Sequence, residues 1–376
     1  MHFINCSYSD FINKTKNKKI IQFGASTSWD YYESLFPDIY AKVVEKTDYI
    51  VDNNEEKIGT KWNVLGKEIE VKHPSIICND EDFVILITVR LGFQNKICEQ
   101  LVSYNLPDEI ECYSLQLMIY EGNEADNKCV DEYFRTHTEN QIPAKIHSFW
   151  FSGEEKPDKY KKCIDSWYKF CPDFEICEWN SDNYDVTKNK YMEQAFLHKK
   201  WAFVSDYARL DVVHQYGGIY FDMDVELIAP IKKMLNATAF FCRQNDGLLE
   251  LGSGFGATKS HVLIKKMLNV YKELEFVNSD GTLDMTPQPS RLTSAFYDLG
   301  VTRTHNSQVI NDTIFLSNDY FTCINGNPDK WSWKGTEMGI HWHNAGWMNI
   351  DKRQSIEVDK DIIKKLLESY FTERVD

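Results

Sequence analysis

The sequence predicts an α/β chain of two domains, residues 1–140 and 141–376, on three observations. Short apolar strands alternate with segments of helical spacing between residue 18 and about residue 120. A polar stretch rich in acids and amides occupies 121–141, and an aromatic-rich strand at 145–151 then opens a second alternating series. Alternation of this kind is the pattern of a mostly parallel sheet covered by helices. At 376 residues, with 43% hydrophobic and 14% aromatic content, the chain is long and apolar enough for two cores.

Lys and Arg total 42 against 57 Asp and Glu, a formal charge of −15. That balance argues against nucleic acid or an anionic membrane as non-specific partners, because both repel an acidic surface. It leaves room for a nucleotide, whose phosphates a metal ion and one or two bases can neutralise locally. The opening MHFINCSYSDFINKTKNKK has no apolar core of signal-peptide length, and no later run approaches a membrane span. The expected compartment is the cytoplasm, with peripheral association at the inner face of the membrane included. Ten cysteines are scattered, without Cys-X-X-Cys or a His/Cys cluster at zinc spacing, and are expected as reduced thiols.

In the first domain KKIIQFGAS reads as a strand entering a glycine turn, residues 29–45 as a helix, and DYIVDNN as a second strand. FVILITV (83–89) is a third strand, and Gln94 to Tyr104 an amphipathic helix with Ile97, Leu101 and Val102 inward. The series predicts a small Rossmann-like sheet. Cofactor binding there would need Gly-X-Gly-X-X-Gly after the first strand, so that backbone can approach a pyrophosphate at a helix N-terminus. Only Gly24 stands in FGASTSW, which favours a structural or regulatory role; Asp52, ending the second strand, could face a ribose or simply form a turn.

The second domain opens on IPAKIHSFWFSG (142–153), a strand from Lys145 to Phe151. YKKCIDSWYKFCPDFEICEWN (160–180) follows as a helix holding Cys163, Ile164 and Trp167 and a strand ending at Trp179 and Asn180. At the centre stands WAFVSDYARLDVVHQYGGIYFDMDVEL (201–227), read as a helix, a glycine-closed turn and a strand. The helix is apolar around nearly its whole circumference, which marks burial on most sides. Asp206 and Arg209 nevertheless lie three apart on one face, and buried acids and bases are rare unless paired or employed. Gly217 and Gly218 end the helix and reverse the chain. On one strand, Ile219, Phe221, Met223, Val225 and Leu227 would face the core while Tyr220, Asp222, Asp224 and Glu226 share the other side. Two carboxylates so placed repel each other unless a cation sits beside them. Mg²⁺ or Mn²⁺ holding a phosphate is the candidate, because these ions take hard oxygen ligands from one or two carboxylates plus phosphate.

This stretch resembles the DXD-containing sugar transferases of glycosyltransferase family 32, a group with capsular-polysaccharide enzymes and Och-type fungal mannosyltransferases, related to the clostridial glucosylating toxins. The shared pattern is A-x-x-S-D-x-x-R, then Y-G-G-x-Y-x-D-x-D. It is complete here from Ala202 through Ser205, Asp206, Arg209, Tyr216, Gly217, Gly218, Tyr220 and Asp222 to Asp224. IPAKIHSFW is similar to the family's I-P-K-I-I-H-x-x-W, and residues 172–180 to its P-x-(F/Y)-x-x-x-x-W-(N/D). LGSGFGATKSH (251–261) resembles a small-residue loop before a helix, where glycine lets backbone approach a sugar. A phosphate-loop reading fails there, since Lys259-Ser260 lack the required spacing. TPQPSRLTSAF (286–296) resembles T-G-P-x-x-L-T, with Gln288 where glycine is usual. GTEMGIHWHNAGWM (335–348) resembles I-H-H-x-x-x-S-W, with Gly346 in place of Ser.

The resemblance implies a GT-A-type nucleotide-sugar transferase domain behind the Rossmann-like one. Trp150 would stack on the donor base; Asp206 and Arg209 would hold sugar hydroxyls, and Tyr220 would line the same face. Asp224 would bind Mn²⁺ (or Mg²⁺) directly, with Asp222 contacting the ribose and supporting the metal. His343, narrowly favoured over His341, would complete the metal shell, and Trp347 would contact the donor phosphates. His147 is expected as a hydrogen-bonded structural residue. The expected reaction moves a hexose from a nucleotide sugar, a UDP-sugar foremost, to a saccharide acceptor, lipid-linked acceptors included, in surface polysaccharide or glycan synthesis, with retention of configuration. Two alternatives stay open: a haloacid-dehalogenase-like phosphatase with Asp222 as nucleophile, and a non-catalytic nucleotide-sugar-binding subunit. The first leaves Asp206, Arg209 and Trp150 without a role; the intact Asp222 and Asp224 weigh against the second. At the C-terminus Ile362, Ile363, Leu366, Leu367, Tyr370 and Phe371 have helical spacing and are expected to dock on the body of the protein.

Overall fold

The computed structural model describes residues 1–6, 8–25, 37–79, 82–89, 91–120, 125–244, 247–323, 335–342, 369–370 and 373–374. The chain divides into two compact units, Met1–Glu124 with Ile350–Asp376, and Ala125–Asn349. The division falls ahead of the expected 140/141 boundary because the polar stretch contains a helix, Lys128–Thr136, whose Val130 and Tyr133 are buried with Ile142 and Ile146 in a core of the second unit. Its outward acids and amides are what made the stretch look like a linker. The described residues form eighteen strands, numbered β1 to β18 along the chain.

The first unit holds an eight-stranded sheet of β1 (His2–Asn5), β2 (Lys19–Phe23), β3 (Thr47–Val51), β4 (Lys61–Val64), β5 (Lys67–Lys72), β6 (Phe83–Ile87), β7 (Glu111–Ser114) and β18 (Glu373–Arg374). Their order is β18-β1-β7-β6-β2-β3-β5-β4. All neighbours pair parallel except the hairpin β4–β5 at the edge. The central strand FVILI is buried on both faces, as a parallel strand between two helical layers must be. Alternate strand residues accordingly feed two cores: Ile20, Ile50 and Leu86 one, Ile21, Val51 and Ile85 the other. Strands β1, β4, β5, β7 and β18 were not anticipated. The β4–β5 turn escapes notice because Leu65 (φ 49) and Gly66 (φ 81) take the left-handed places usually signalled by Asn-Gly. Asp52 follows β3, and its carboxylate accepts from Ala25 N at 2.7 Å and Asn54 N at 2.8 Å, with Lys57 Nζ at 3.5 Å. The acid therefore ties strand ends together. Of the expected C-terminal helix, Ile362, Ile363, Leu366, Leu367 and Phe371 lie outside the described residues; the Tyr370 ring meets Phe3 edge-on at 5.2 Å.

The second unit has a seven-stranded sheet of β8 (Lys145–Phe149), β9 (Glu175–Trp179), β10 (Gly218–Tyr220), β12 (Ala239–Cys242), β13 (Phe255–Ala257), β14 (Gln308–Ile310) and β15 (Thr313–Leu316), in the order β14-β15-β12-β13-β10-β8-β9. A smaller sheet pairs β11 (Val225–Leu227), β17 (Gly339–His341) and β16 (Phe321–Cys323), in that order. The helix Trp201–Tyr216 is buried along most of its length and contributes Phe203, Val204 and Ala208 to the core on one side of the large sheet, with Tyr220, Phe241 and Phe255. On the other side Ile219, Phe221 and Phe240 pack with Trp167 of the helix Asp158–Phe170. No described helix is long and apolar enough to cross a membrane.

One expectation is corrected here. GGIYFDMDVEL is not a single strand: β10 ends at Tyr220, the chain turns with Val225 N donating to Asp222 O at 3.0 Å, and β11 joins the small sheet. The ladder breaks because Asp222 N is taken by Gly252 O at 3.0 Å, while Val225 is claimed by His341 across the antiparallel β11–β17 pair. The two acids thus sit on the turn between two sheets.

Candidate active site

The turn entering β10 depends on its glycines. Gly217 has φ 65 and Gly218 φ 109, where side chains are strained, and a Cβ on Gly218 would lie 2.9 Å from His147 Nε2 and 3.0 Å from Lys145 O. His147 is buried in exchange for two hydrogen bonds. Trp179 Nε1–H, which can only donate, points at His147 Nδ1 at 3.1 Å, so the imidazole carries its proton on Nε2 and gives it to Gly217 O at 2.8 Å. Burial holds its pKa down to about 4. The residue is structural, as the sequence reading expected.

Asp206 and Arg209 meet inside the helix, 6% and 4% exposed, with Arg209 Nη2 donating to Asp206 Oδ1 at 2.9 Å. Ser205 completes the grip, its carbonyl accepting from Arg209 Nε at 3.0 Å and its hydroxyl from Nη2 at 3.1 Å. The other guanidinium nitrogen reaches Asp222 Oδ1 at 3.6 Å, and Tyr220 O–H donates to the same oxygen at 2.6 Å. Burial disfavours the Arg209 charge, but Asp222, Tyr220 and Asp206 outweigh it and keep the guanidinium protonated. Burial lifts Asp206 to about 7 in spite of Arg209, and burial followed by Asp222 raises the Tyr220 hydroxyl, which keeps it a donor.

Asp222, Asp224 and His341 each offer a ligand atom, all within 4.8 Å of one another. His341 Nε2 stands 3.2 Å from Asp224 Oδ1, and its Nδ1 lies 2.9 Å from the hydroxyl of the buried Ser253. A second-layer partner on one ring nitrogen that aims the other at a ligand atom is the usual support of a metal-binding imidazole. Two carboxylates and one imidazole suit Mn²⁺, with Mg²⁺ served by the carboxylates. The charge points the same way, since Asp206, Asp222 and Glu250 gather around the guanidinium of Arg209, with Asp224 beside Asp222. Trp342, exposed at the rim, donates from its backbone N to Asp224 O at 3.1 Å and from Nε1 to Glu226 at 3.0 Å.

Glu250 was missed by sequence reasoning. Its backbone N donates to Cys242 O at 2.8 Å, and its Oε1 accepts from Gly252 N at 2.9 Å. A Cβ on Gly252 would come within 2.5 Å of Asp222 Oδ2 and 3.0 Å of Glu250 Oε1. The glycine thus lets two acids crowd one backbone. Gln288, at the glycine position of the T-G-P-x-x-L-T pattern, is buried and accepts from Leu251 N at 3.2 Å, while Thr293 accepts from Leu249 N at 2.9 Å. The departure from the pattern therefore braces the segment between β12 and β13 that carries Glu250. Burial, then Asp222, push the Glu250 carboxyl above its ordinary range against the pull of His341 and Arg209.

Trp150 follows β8, its Nε1 donating to Glu154 O at 2.6 Å and its ring partly buried against Tyr160 at 5.2 Å. Because β8 and β10 run parallel with Tyr220 opposite His147, Trp150 leaves the sheet at the same end as Asp222. The structure thus brings together Asp206, Arg209, Tyr220, Asp222, Asp224 and His341. His343, the narrowly favoured alternative, and Trp347 lie outside the described residues. A signal for Glu250 was present in the acid one residue ahead of the LGSGFG loop, but nothing local separates it from any surface acid.

Known proteins bear on this geometry. Residues 157–241, under a quarter of the chain, match the family model described as "Glycosyltransferase sugar-binding region containing DXD motif". The match spans Asp206, Arg209, Tyr220, Asp222 and Asp224 but stops short of Glu250 and His341. Inositol phosphoceramide mannosyltransferase 1 of Schizosaccharomyces pombe is 20% identical over 215 residues, 53% of this chain and 65% of that protein. An uncharacterized glycosyltransferase, L373, of Acanthamoeba polyphaga mimivirus is 30% identical over 135 residues, 34% and 48% of the two chains. The chain therefore spans less than two thirds of either relative. Among solved structures, PaToxG glycosyltransferase aligns at 18% identity over 46% of this chain and 74% of its own, with a TM-score of 0.33, too low to fix a shared fold. The DXD-bearing segment of this chain is thus similar to the sugar-binding region of glycosyltransferases.

Proposed function

We propose that the second unit is a GT-A-type, metal-dependent glycosyltransferase that moves a hexose from a nucleotide sugar to a saccharide acceptor in glycan or surface polysaccharide synthesis, with retention of configuration. The observation that carries this reading is the convergence of Asp222, Asp224 and His341 within 4.8 Å, beside the buried Asp206–Arg209 pair. Asp222, Asp224 and His341 would hold Mn²⁺ or Mg²⁺; a divalent ion there supplies neutralisation of the charge that develops on the departing nucleoside diphosphate. Ser253 orients His341, so its Nε2 faces the ligand cluster. Tyr220 and Arg209 hold Asp222 in one rotamer, with its Oδ2 over Gly252. Asp206, anchored to Arg209 through one oxygen, offers the other to a sugar hydroxyl. Trp150, at the same sheet end, is the platform for the base. A UDP-sugar remains the expected donor, and the name of the fission-yeast relative adds a mannosyl donor to those worth testing. The proposed setting is cytoplasmic, at the inner membrane face where the acceptor is lipid-linked.

The test is a panel of UDP- and GDP-sugars incubated with Mn²⁺ and with chelator, scored for donor hydrolysis and for binding by calorimetry, with Asp224→Asn as control. Mn²⁺-dependent turnover of one donor that collapses in the variant is expected. Undiminished turnover by the variant, or phosphate release from simple monoesters without nucleotide-sugar binding, would overturn the assignment.

A further inference from the structure

Glu250 stands beside the ligand cluster without belonging to it, and its position on the sheet tells what it faces. Strand β10, which leads into Asp222, has β8 on one flank and β13 on the other. Trp150 leaves the sheet from the β8 flank, whereas Glu250 and Gly252 approach Asp222 from the β13 flank, where Gly252 O accepts from Asp222 N. On the donor reading above, a donor with its base on Trp150 and its diphosphate at Asp222 and Asp224 would extend its glycosyl group toward the β13 flank. That is where Glu250 waits.

The carboxylate is also held in readiness. Among the described residues it accepts one hydrogen bond, from Gly252 N, although a carboxylate has room for about four. Its backbone segment is braced by Cys242 O on Glu250 N, by Gln288 on Leu251 N and by Thr293 on Leu249 N. A turn of this kind needs no charge: Ser or Asn would accept the same N–H without setting a second carboxylate beside Asp222. A costly like-charge placement, braced from three sides and left with spare acceptor capacity, is the mark of a group kept for a ligand.

We infer that Glu250 is a specificity-determining residue of this site, whose carboxylate accepts hydrogen bonds from hydroxyls of the donor's glycosyl group, so that the site takes neutral, hydroxyl-rich sugars and rejects uronates. This rests on the donor reading above. With Asp206 it makes two acids on the sugar side, and a carboxylate on the sugar would be repelled by both, Arg209 being engaged by Asp206 and Ser205 and Arg291 by Asp284.

The experiment uses the full chain and its E250Q variant with Mn²⁺, measuring calorimetric binding of UDP and GDP alone. It also measures kcat and KM for hydrolysis of UDP-glucose, UDP-galactose, GDP-mannose and UDP-glucuronate. E250Q is expected to keep nucleoside-diphosphate binding within about 2-fold, to raise KM for the preferred neutral donor about 10-fold, and to narrow its preference over UDP-glucuronate by about 10-fold or more. Equal loss of UDP or GDP binding would make Glu250 part of the metal site and overturn the inference, as would unchanged donor KM and preference. A parent that binds neither nucleotide nor nucleotide sugar would instead bring down the donor reading, and this inference with it. Should E250Q fail to fold, E250D takes its place. It keeps the charge one methylene shorter, so a raised donor KM with the uronate still rejected supports the inference, and an unchanged KM overturns it.

Discussion

Each unit carries an aspartate just beyond the end of a parallel-paired strand, and the two have opposite fates. Asp52, after β3, is saturated: two backbone N–H groups and Lys57 surround its carboxylate. Asp222, after β10, is also anchored, by Tyr220 and Arg209, yet two further acids, Asp206 and Glu250, stand around the same guanidinium and Asp224 lies beside Asp222. In the first case the local charge balances and the acid closes a loop. In the second the acids outnumber the bases, and the cation proposed above would relieve the surplus of negative charge. A strand-end acid is thus a poor sign of function; an uncompensated group of them is a good one.

The sharpest break of this comparison is Asp224→Asn, which should cut Mn²⁺-dependent donor hydrolysis about 10³-fold, the order expected when several kcal/mol of charge stabilisation are removed. Thermal unfolding of the variant in chelator should be unchanged or higher, because a repelling charge is gone. Next comes Arg209→Met, which leaves Asp206 buried without its partner and should cost about 3–5 kcal/mol in urea unfolding. Lys57→Met, beside the partly exposed Asp52, should cost under about 1 kcal/mol in the same assay.

His147 makes the stability of the second unit depend on pH. Its folded pKa of about 4 lies below the ordinary 6.5, so the unfolded chain takes up the proton first. Stability should therefore fall as pH drops from 6.5 to 4, by about 3 kcal/mol over the whole window. Urea unfolding at pH 7 and pH 4.5 should show a steeper loss for the parent than for His147→Gln; parallel losses would contradict the depressed pKa of the buried imidazole. Gly252→Ala, whose new methyl would strike Asp222 Oδ2, should lower turnover about 10- to 100-fold with little change in melting temperature.

Much of the central element was legible because its signals are local. Helical spacing placed Asp206 and Arg209 on one face, glycines marked the turn, and alternation separated Asp222 and Asp224 from Phe221 and Met223, which are indeed buried. Legibility failed where partners are distant. His341 meets Ser253 across 88 residues, and the I-H-W-H stretch alone could not choose between His341 and His343. Glu250 acquires meaning only through Gln288, which looked like a defect in a pattern, and through Gly252, which brings its carboxylate to Asp222. The break in the strand between Tyr220 and Val225 was hidden for the same reason, since an apolar–polar alternation persists through a turn when the flanking strands join different sheets.

The amino-acid sequence by itself determined the α/β character, the buried helix with its ion pair and the paired acids after the glycine turn, because spacing along a helix or strand decides which side chains share a face. Only the tertiary structure decided which histidine stands with those acids among the described residues, that they occupy a turn between two sheets, and that Glu250 joins them. Such choices depend on strands brought together from far along the chain, and backbone pairing between them leaves no trace in local periodicity.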